Sequence, residues 1–214
     1  MTFVTRLPKD SATGNFGKVD GRRLRSERTE QLIVEAYMSL ARERQQVPTA
    51  AQIAERAGCS VRSVFERFPD LNTIRVAATD HAIAESVAQN VPFDLNGDRQ
   101  TRIRLHVEVR GWGCERWLPL WRVLNADPGE SAELKKRIRM IRELIVMRIQ
   151  AIFKRELSTL ADLERRRVVI ALEALVDFES WGRMRELYGL SSEEACSVWI
   201  RAFDRLLPPT PTAP

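Results

Sequence analysis

Polar side chains suited to recognising anions and hydrogen-bond acceptors cluster in one short part of the sequence, residues 49–67. A threonine begins this segment, and serine and arginine recur in its second half. Hydroxyl and guanidinium groups donate hydrogen bonds to phosphate oxygens, and an arginine can pair with two acceptors on a guanine edge. These residue types therefore suit nucleic-acid contacts. The candidates are Thr49, Ser60, Val61, Arg62, Ser63, Phe65 and Arg67.

Several of these candidates also have a purely structural interpretation. Thr49 and Ser60 can serve only as helix caps, and Arg62 can be a solvated surface arginine. Phe65 can contact a thymine methyl group or a sugar, or it can pack in the core. A cap and a DNA contact are compatible roles, because a helix N-terminus also offers its N–H groups to phosphate.

The distribution of charge also points to an anionic partner. The net charge is +5, and residues 1–28 carry seven basic and three acidic side chains, whereas residues 29–75 carry six of each. The excess positive charge therefore lies near the N-terminus, where phosphate is the first candidate partner. Arg22, Arg23 and Arg25 can follow a phosphate backbone or a minor groove. The alternative is a solvated arm that keeps the protein soluble.

Helix-capping signals show which elements must position these side chains. Thr49 followed by Gln52 is a capping box, and Ser60 is a good N-cap for a further helix. Gly58 lies between them and suits the left-handed residue that ends a helix. Two short helices joined by a tight turn are typical of a helix-turn-helix. In that arrangement the second helix enters the DNA major groove.

The remaining sequence indicates helices as well. Hydrophobic residues make up 44% of the chain, and long alternating β-branched runs are absent. Apolar residues recur every three or four positions in most segments. We therefore predict an all-α fold with a basic flexible arm at 1–25, a three-helix helix-turn-helix domain at 26–75, a second helical domain at 76–207 and a disordered tail at 208–214.

The segments "RTEQLIVEAYMSLA" and "TAAQIAERAGCSVRSVFERFPD" resemble the TetR family of transcriptional regulators. The usual pattern of that family has an Ile-Ala pair, an Ala-Gly pair and a serine before an aromatic residue of the recognition helix. This sequence departs from it at three positions. Phe65 replaces a tyrosine that reaches phosphate, Leu71 replaces a lysine, and Arg62 replaces a glycine. The resemblance therefore implies an operator that differs from the better-known ones.

The resemblance also implies a helical C-terminal domain for ligand binding and dimerisation. Its last two helices, about 159–187 and 191–207, would pair with their copies in a four-helix interface. The expected interface residues are Val198, Trp199, Ala202, Phe203 and Leu206. A homodimer would place two recognition helices on a palindromic operator, and a small molecule would release it. Repression is the mode of regulation that the resemblance implies.

A tryptophan-rich stretch is the first candidate for the ligand site, because aromatic side chains commonly line small-molecule pockets. The candidate ligand residues are Trp112, Trp117, Trp121, Met147, Phe178 and Trp181. His81, His106 and Arg110 can also reach such a cavity. The alternative is that the tryptophans fill an ordinary core.

Two function classes compete with a regulator. The first is a helical ligand- or partner-binding dimer with weak or lost DNA binding, which Phe65 and Leu71 suggest. The second is an enzyme, which the sequence disfavours because its two histidines lie 25 positions apart and no glycine-rich phosphate loop or paired carboxylates stand out.

The cysteine pattern and the apolar runs bear on cofactors and compartment. Three widely spaced cysteines without a CxxC pair favour neither disulfides nor a zinc site. No apolar run resembles a signal peptide or approaches membrane-spanning length. We therefore expect a cytoplasmic protein with no cofactor, no metal and no membrane partner.

Overall fold

The computed structural model describes residues 21–88, 97–126 and 131–211, and the described elements are helical throughout. The predicted all-α fold is confirmed. The helices are α1 (Gly21–Arg44), α2 (Ala50–Ala57), α3 (Val61–Arg67), α4 (Leu71–Ala88), α5 (Arg99–Ala126), α6 (Ala132–Ile152), α7 (Lys154–Leu157), α8 (Asp162–Leu175), α9 (Phe178–Gly182) and α10 (Ser192–Leu206). A short π-helical segment, Arg183–Leu187, follows α9.

The first three helices pack around one apolar centre. α1 contacts both α2 and α3. The side chains of Tyr37, Ile53 and Val64, one from each helix, are fully buried. Ile74 of α4 is buried in the same continuous core. The beginning of α4 therefore completes the helix-turn-helix unit, and the proposed domain boundary at 75/76 lies within a continuous helix.

The long helix α5 is the centre of the rest of the molecule and contacts α1, α4, α9 and α10. A buried ion pair joins its first turn to α7. Arg102 donates to both carboxylate oxygens of Glu156, at 2.9 and 2.5 Å. None of the helices within the described ranges is long and apolar enough to cross a membrane.

Residues 21–25 and 208–211 are more ordered than the sequence predicts. α1 begins at Gly21, before the predicted start at Ser26. An ion pair between Arg23 and Glu27, one turn apart, supports this added turn. The arm at 1–25 is therefore helical from residue 21, and residues 1–20 lie outside the described residues.

The predicted disordered tail at 208–214 is wrong for residues 208–211. Arg99 Nε donates to the Pro208 carbonyl at 3.2 Å, and the Thr210 hydroxyl donates to Glu156. Both partners are distant in sequence, so the local proline-rich composition does not reveal them. Residues 212–214 lie outside the described residues.

The predicted helix at 159–187 is divided. α8 ends at Leu175, and Asp177 caps α9 by accepting from the Glu179 N–H at 2.8 Å. The last helix begins with a capping box, in which Ser191 and Glu194 each accept from the other's backbone N–H. This break orients α9 separately from α8.

Candidate functional site

Caps fix both the start of α2 and the turn between α2 and α3. Thr49 Oγ1 accepts from the Gln52 N–H at 3.3 Å, and the Gln52 side chain accepts from the Thr49 N–H at 3.0 Å. Gly58 has φ 67° and ψ 33°, a left-handed conformation that glycine adopts readily. Ser60 Oγ then accepts from the Ser63 N–H at 3.0 Å. The predicted helix-turn-helix geometry is confirmed.

Helix α3 has one buried face and one exposed face. Val64 and Phe68 are buried in the core shared with α1 and α2. Val61 is exposed, Phe65 is 46% exposed, and the Arg62 side chain is 88% exposed. Phe65 therefore does not fill the core, and the outer face of α3 exposes apolar and cationic groups to solvent.

An ion pair occupies this outer face. Arg62 Nε donates to Glu66 Oε1 at 2.8 Å, one helical turn away. This bond raises the pKa of Arg62 and lowers the pKa of Glu66. Exposed pairs of this kind are weak. A phosphate or a guanine can therefore compete with Glu66 for the guanidinium.

The basic beginning of α1 lies beside the end of α3. Arg22 and Arg23 belong to the first turn of α1, and Arg23 is exposed. Arg67 is half-buried, and its Nη1 donates to the Ser63 carbonyl at 3.0 Å. One shallow depression is lined by Arg25, Ser26, Thr29, Glu66 and Arg67. The structure thus brings Arg25 next to the recognition-helix candidates.

A cavity of about 350 Å³ lies among α4, α5, α6 and α9. Four of the predicted ligand residues line it, namely Trp112, Trp117, Trp121 and Phe178. The ring of Trp121 stacks on Phe178 with a centroid separation of 4.7 Å. These aromatic side chains are therefore parts of one site.

Two predicted ligand residues do not line the cavity. Met147 is 54% exposed, because the inner face of α6 carries Ile141, Ile145 and Arg148 instead. Trp181 is buried against Trp199, with ring centroids 5.0 Å apart. His81, also considered from the sequence, is exposed and lies outside the cavity lining.

The cavity has a buried end and an open end. His106, Leu120 and Trp121 are buried lining residues. Trp112, Val87 and Leu144 line the same cavity but remain exposed. The exposed side chains mark the mouth, through which a small molecule can enter.

Charged groups in the cavity lining are cationic. Arg110 and Arg148 line the cavity, and no Asp or Glu is among its described lining residues. Burial, with a contribution from the charge of Arg110, lowers the pKa of Arg148 to about 10. Burial, with contributions from both arginines, lowers the pKa of His106 to about 3, so this histidine is neutral near pH 7. Within the described ranges, no three His, Cys, Asp or Glu side chains are grouped to hold a metal ion.

Arg148 lines the cavity but is not among the ligand residues predicted from the sequence. The signal was present, because Ile141, Ile145 and Arg148 follow one another at helical spacing on the same face of α6. An arginine on an otherwise apolar helix face is unusual, and this position was therefore a candidate for a functional charge.

Helix α4 connects the cavity to the helix-turn-helix. Ile74 near its start is buried in the core, whereas Ile83 and Val87 near its end line the cavity. Arg75 anchors α4 to α5 by donating to the carbonyls of Val123 and Leu124, at 3.4 and 3.1 Å.

A second connection runs through Trp117. This cavity residue lies 5.9 Å from the guanidinium carbon of Arg42 on α1. The helix-turn-helix is therefore linked to the cavity in two places, through α4 and through Arg42 of α1.

The expected interface residues of α10 fall into two groups. Trp199 and Phe203 are fully buried within the protomer, so the expectation that they lie on an interface surface is wrong. They instead pack α10 onto α5 and α9. Val198 is 44% exposed and Leu206 is 40% exposed, and Ala202 is half-buried. Val198, Ala202 and Leu206 therefore form the outer face of α10.

Comparison with solved structures identifies the architecture. A TetR-family transcriptional regulator from Streptomyces coelicolor matches with a TM-score of 0.69 and 17% identity, over 84% of this chain and 80% of that one. A transcriptional regulator from Rhodococcus sp. Rha1 matches with a TM-score of 0.64 and 16% identity, over 87% of this chain and 99% of that one.

A third match is the multidrug binding protein EbrR complexed with imidazole, with a TM-score of 0.54 and 19% identity, over 86% of this chain and 97% of that one. No protein-family model and no curated protein matches the sequence. The resemblance inferred from the helix-turn-helix segment thus extends to the whole architecture. The chain has the all-α fold of the TetR-family transcriptional regulators, with an N-terminal helix-turn-helix and a C-terminal helical domain.

Proposed function

We propose that this protein is a cytoplasmic transcriptional regulator of the TetR family that represses transcription, binds a palindromic operator as a homodimer and is released by a small molecule. The observation that carries the proposal is the course of α4, which begins in the core of the helix-turn-helix and ends in the wall of an aromatic cavity. One rigid element thereby joins a DNA-recognition surface to a ligand site.

The DNA contacts follow from the exposed face of α3. Arg62 reaches base edges or a phosphate, and Val61 and Phe65 offer apolar contact to thymine methyl groups or sugars. The caps Thr49 and Ser60 stand at helix N-termini, where hydroxyl and N–H groups suit phosphate.

The remaining contacts are to phosphates beside the recognition helix. Ser63 and Arg67 belong to α3, while Arg23 and Arg25 extend the basic surface along α1. Arg22 is proposed to contact phosphate as well, although its side chain lies outside the described part of the structure. These contacts place the protein on the duplex without reading its sequence.

The homodimer is proposed to form through α8 and α10. These helices contact each other, and each leaves apolar side chains exposed, including Ile170 on α8 and Val198 and Leu206 on α10. A two-fold axis through this surface relates two copies of α3. If both enter successive major grooves, half-site centres lie roughly 34–36 Å apart.

Ligand control follows from the shared helix. A small molecule that spreads α4 from α6 in the cavity also moves the start of α4 and, with it, α3. The separation between the two recognition helices then no longer matches the operator. The loss of DNA affinity equals the difference in the ligand's affinity for the two conformations. The multidrug binding protein among the structural neighbours supports a ligand-responsive role.

Selection of bound duplexes from random DNA, at two salt concentrations, tests the proposal. A recovered palindrome with half-sites one helical turn apart supports it. Weak binding without sequence enrichment contradicts it and favours a ligand- or partner-binding dimer that has lost DNA recognition. The bond from Arg62 to Glu66 supports this second candidate, because it engages the guanidinium that would otherwise contact DNA.

A further inference from the structure

The charge of the cavity is a property that the proposed regulator does not by itself explain. Arg110 projects from α5 and Arg148 from α6, so two cationic groups face one small space from different helices. The described lining contains no acidic side chain to balance them. Since His106 is neutral near pH 7, the described lining of the cavity carries a net positive charge.

Arg110 is only partly satisfied within the protein. Its Nε donates to the Val176 carbonyl at 2.9 Å, and its guanidinium carbon lies 4.4 Å above the ring centroid of Phe178. Its Nη2 is buried and makes no hydrogen bond to any described residue. A buried cationic donor without an acceptor is costly, and a bound acceptor removes that cost.

The two arginines also oppose each other. Burial and the charge of Arg110 lower the pKa of Arg148, so the two guanidinium groups repel each other across the cavity. A ligand cation entering this space meets the same repulsion. An anion, in contrast, neutralises both guanidinium groups, and carboxylates pair with arginine through two parallel hydrogen bonds.

The rest of the wall is apolar. Trp117, Trp121 and Leu120 line the buried part, and Ile141 and Ile145 line the side formed by α6. A volume of about 350 Å³ accommodates a small organic molecule. The cavity therefore combines two arginine side chains with an otherwise mostly apolar wall.

We infer that the cavity binds an apolar carboxylate, with the carboxylate group on Arg110 and Arg148 and the hydrocarbon or aromatic body against Trp117, Trp121 and Phe178. The inference rests on the proposed function, because it names the chemical class of the effector for that same site. The positive charge of Arg110 and Arg148 disfavours organic cations in the same cavity.

Three probes with the same apolar body test this inference in the absence of DNA: decanoate, decanol and decylammonium, each below its micelle concentration. Three of the five tryptophans line the cavity, so their fluorescence reports binding, and calorimetry provides the affinity. We expect decanoate to bind about tenfold or more tightly than decanol, because a charge-assisted hydrogen bond is added. Decylammonium should bind no more tightly than decanol.

Arg110→Gln and Arg148→Gln locate the anion. Each should reduce the preference for decanoate over decanol, both measured on the same variant, to about twofold or less. Arg139→Gln is the matched control, since Arg139 is exposed on α6 and outside the cavity lining, and it should leave the preference unchanged. Far-UV circular dichroism checks that each variant is folded, and two separate arginines keep the test decisive if one variant is not.

Equal affinities for the three probes, or tighter binding of decylammonium, would overturn the inference. A decanoate preference that survives both cavity substitutions would also overturn it, because the anion would then bind elsewhere. The proposed regulatory function is tested separately by adding decanoate to a complex with selected operator DNA. Decanoate binding without DNA release contradicts release by this ligand class, yet it leaves the assignment of the cavity intact.

Discussion

At the scale of single residues, Arg62 and Glu66 form a matched pair for testing DNA recognition. Arg62→Ala should weaken binding to the selected operator by ~1–3 kcal/mol and relax the preference at one base pair, if the guanidinium makes a bidentate base contact. Fluorescence anisotropy with operator and random duplexes measures both effects. Equal losses on the two duplexes would instead identify a phosphate contact.

Glu66→Gln should have the opposite effect. The substitution removes a negative charge beside the DNA and releases Arg62 from its 2.8 Å bond. Because exposed ion pairs are weak, we expect only a small gain in operator affinity. Unchanged or weaker binding in the same anisotropy assay would show that Glu66 holds Arg62 in the orientation that DNA requires.

The buried pair of Arg102 and Glu156 leads to a prediction about stability and pH. Burial raises the pKa of Glu156, but hydrogen bonds from Arg102 and Thr210 outweigh burial and lower that pKa from 4.5 to about 2. A carboxylate with a lowered folded-state pKa stabilises the protein above its unfolded-state pKa, and this contribution is lost as the pH falls toward 2.

Glu156→Gln removes the charge and leaves Arg102 buried without its partner, which should cost ~3–5 kcal/mol at neutral pH. Urea unfolding of both proteins at several pH values measures the difference. We expect the difference to shrink between about pH 4.5 and pH 2, because wild-type Glu156 becomes protonated there. A difference that does not change with pH would contradict the assigned role of the carboxylate.

At the scale of elements, α5 contains two glycines in different surroundings. A Cβ atom at Gly111 would lie 2.9 Å from Cys196 Sγ and 3.0 Å from the Trp181 ring, whereas one at Gly113 meets nothing closer than 3.9 Å. Gly111→Ala should therefore destabilise the protein, since overpacking costs ~1–3 kcal/mol and exceeds the gain in helix propensity. Gly113→Ala should stabilise it by up to ~1 kcal/mol.

Thermal and urea unfolding of the two variants compare these effects within one helix. Gly111 allows α5 to approach α9 and α10 closely. The comparison therefore separates the cost of overpacking at this contact from the gain in helix propensity, which both substitutions share. Equal stabilisation by both substitutions would mean that the Cys196 and Trp181 side chains move aside at little cost.

The elements that the sequence predicts best are those with local signals. The capping boxes at Thr49 and Ser191 and the left-handed Gly58 involve only neighbouring residues, so the spacing of side chains is sufficient to predict them. The start of α1 at Gly21 and the break after Leu175 were missed because their local signals are weak.

The cavity required long-range packing that one sequence does not display. Trp121 and Phe178 stack across more than fifty positions, and Trp181, only three residues beyond Phe178, points into a different part of the core. Aromatic residues near one another in sequence therefore pointed to the region of the cavity, but they did not identify its lining residue by residue. The ordered segment at 208–211 was missed for the same reason, because Arg99 and Glu156 are distant partners.

At the scale of the whole molecule, the exposed apolar faces of α8 and α10 predict how two copies associate. Val198→Asp combined with Leu206→Asp should produce monomers that remain folded, because both side chains are exposed in the protomer. Sedimentation measures the mass, and circular dichroism measures the fold. Trp199→Asp should instead unfold the protein, since it places a charge in the core.

Met147→Asp is the control for this comparison, because Met147 is also exposed and apolar but lies on α6. It should leave the mass unchanged. The monomeric double variant should also lose most of its operator affinity, since each half-site alone offers only half of the contacts and the two recognition helices are no longer linked. A double variant that still sediments as a dimer would place the two-fold axis on another face, and α8 and α10 would then not form the proposed interface.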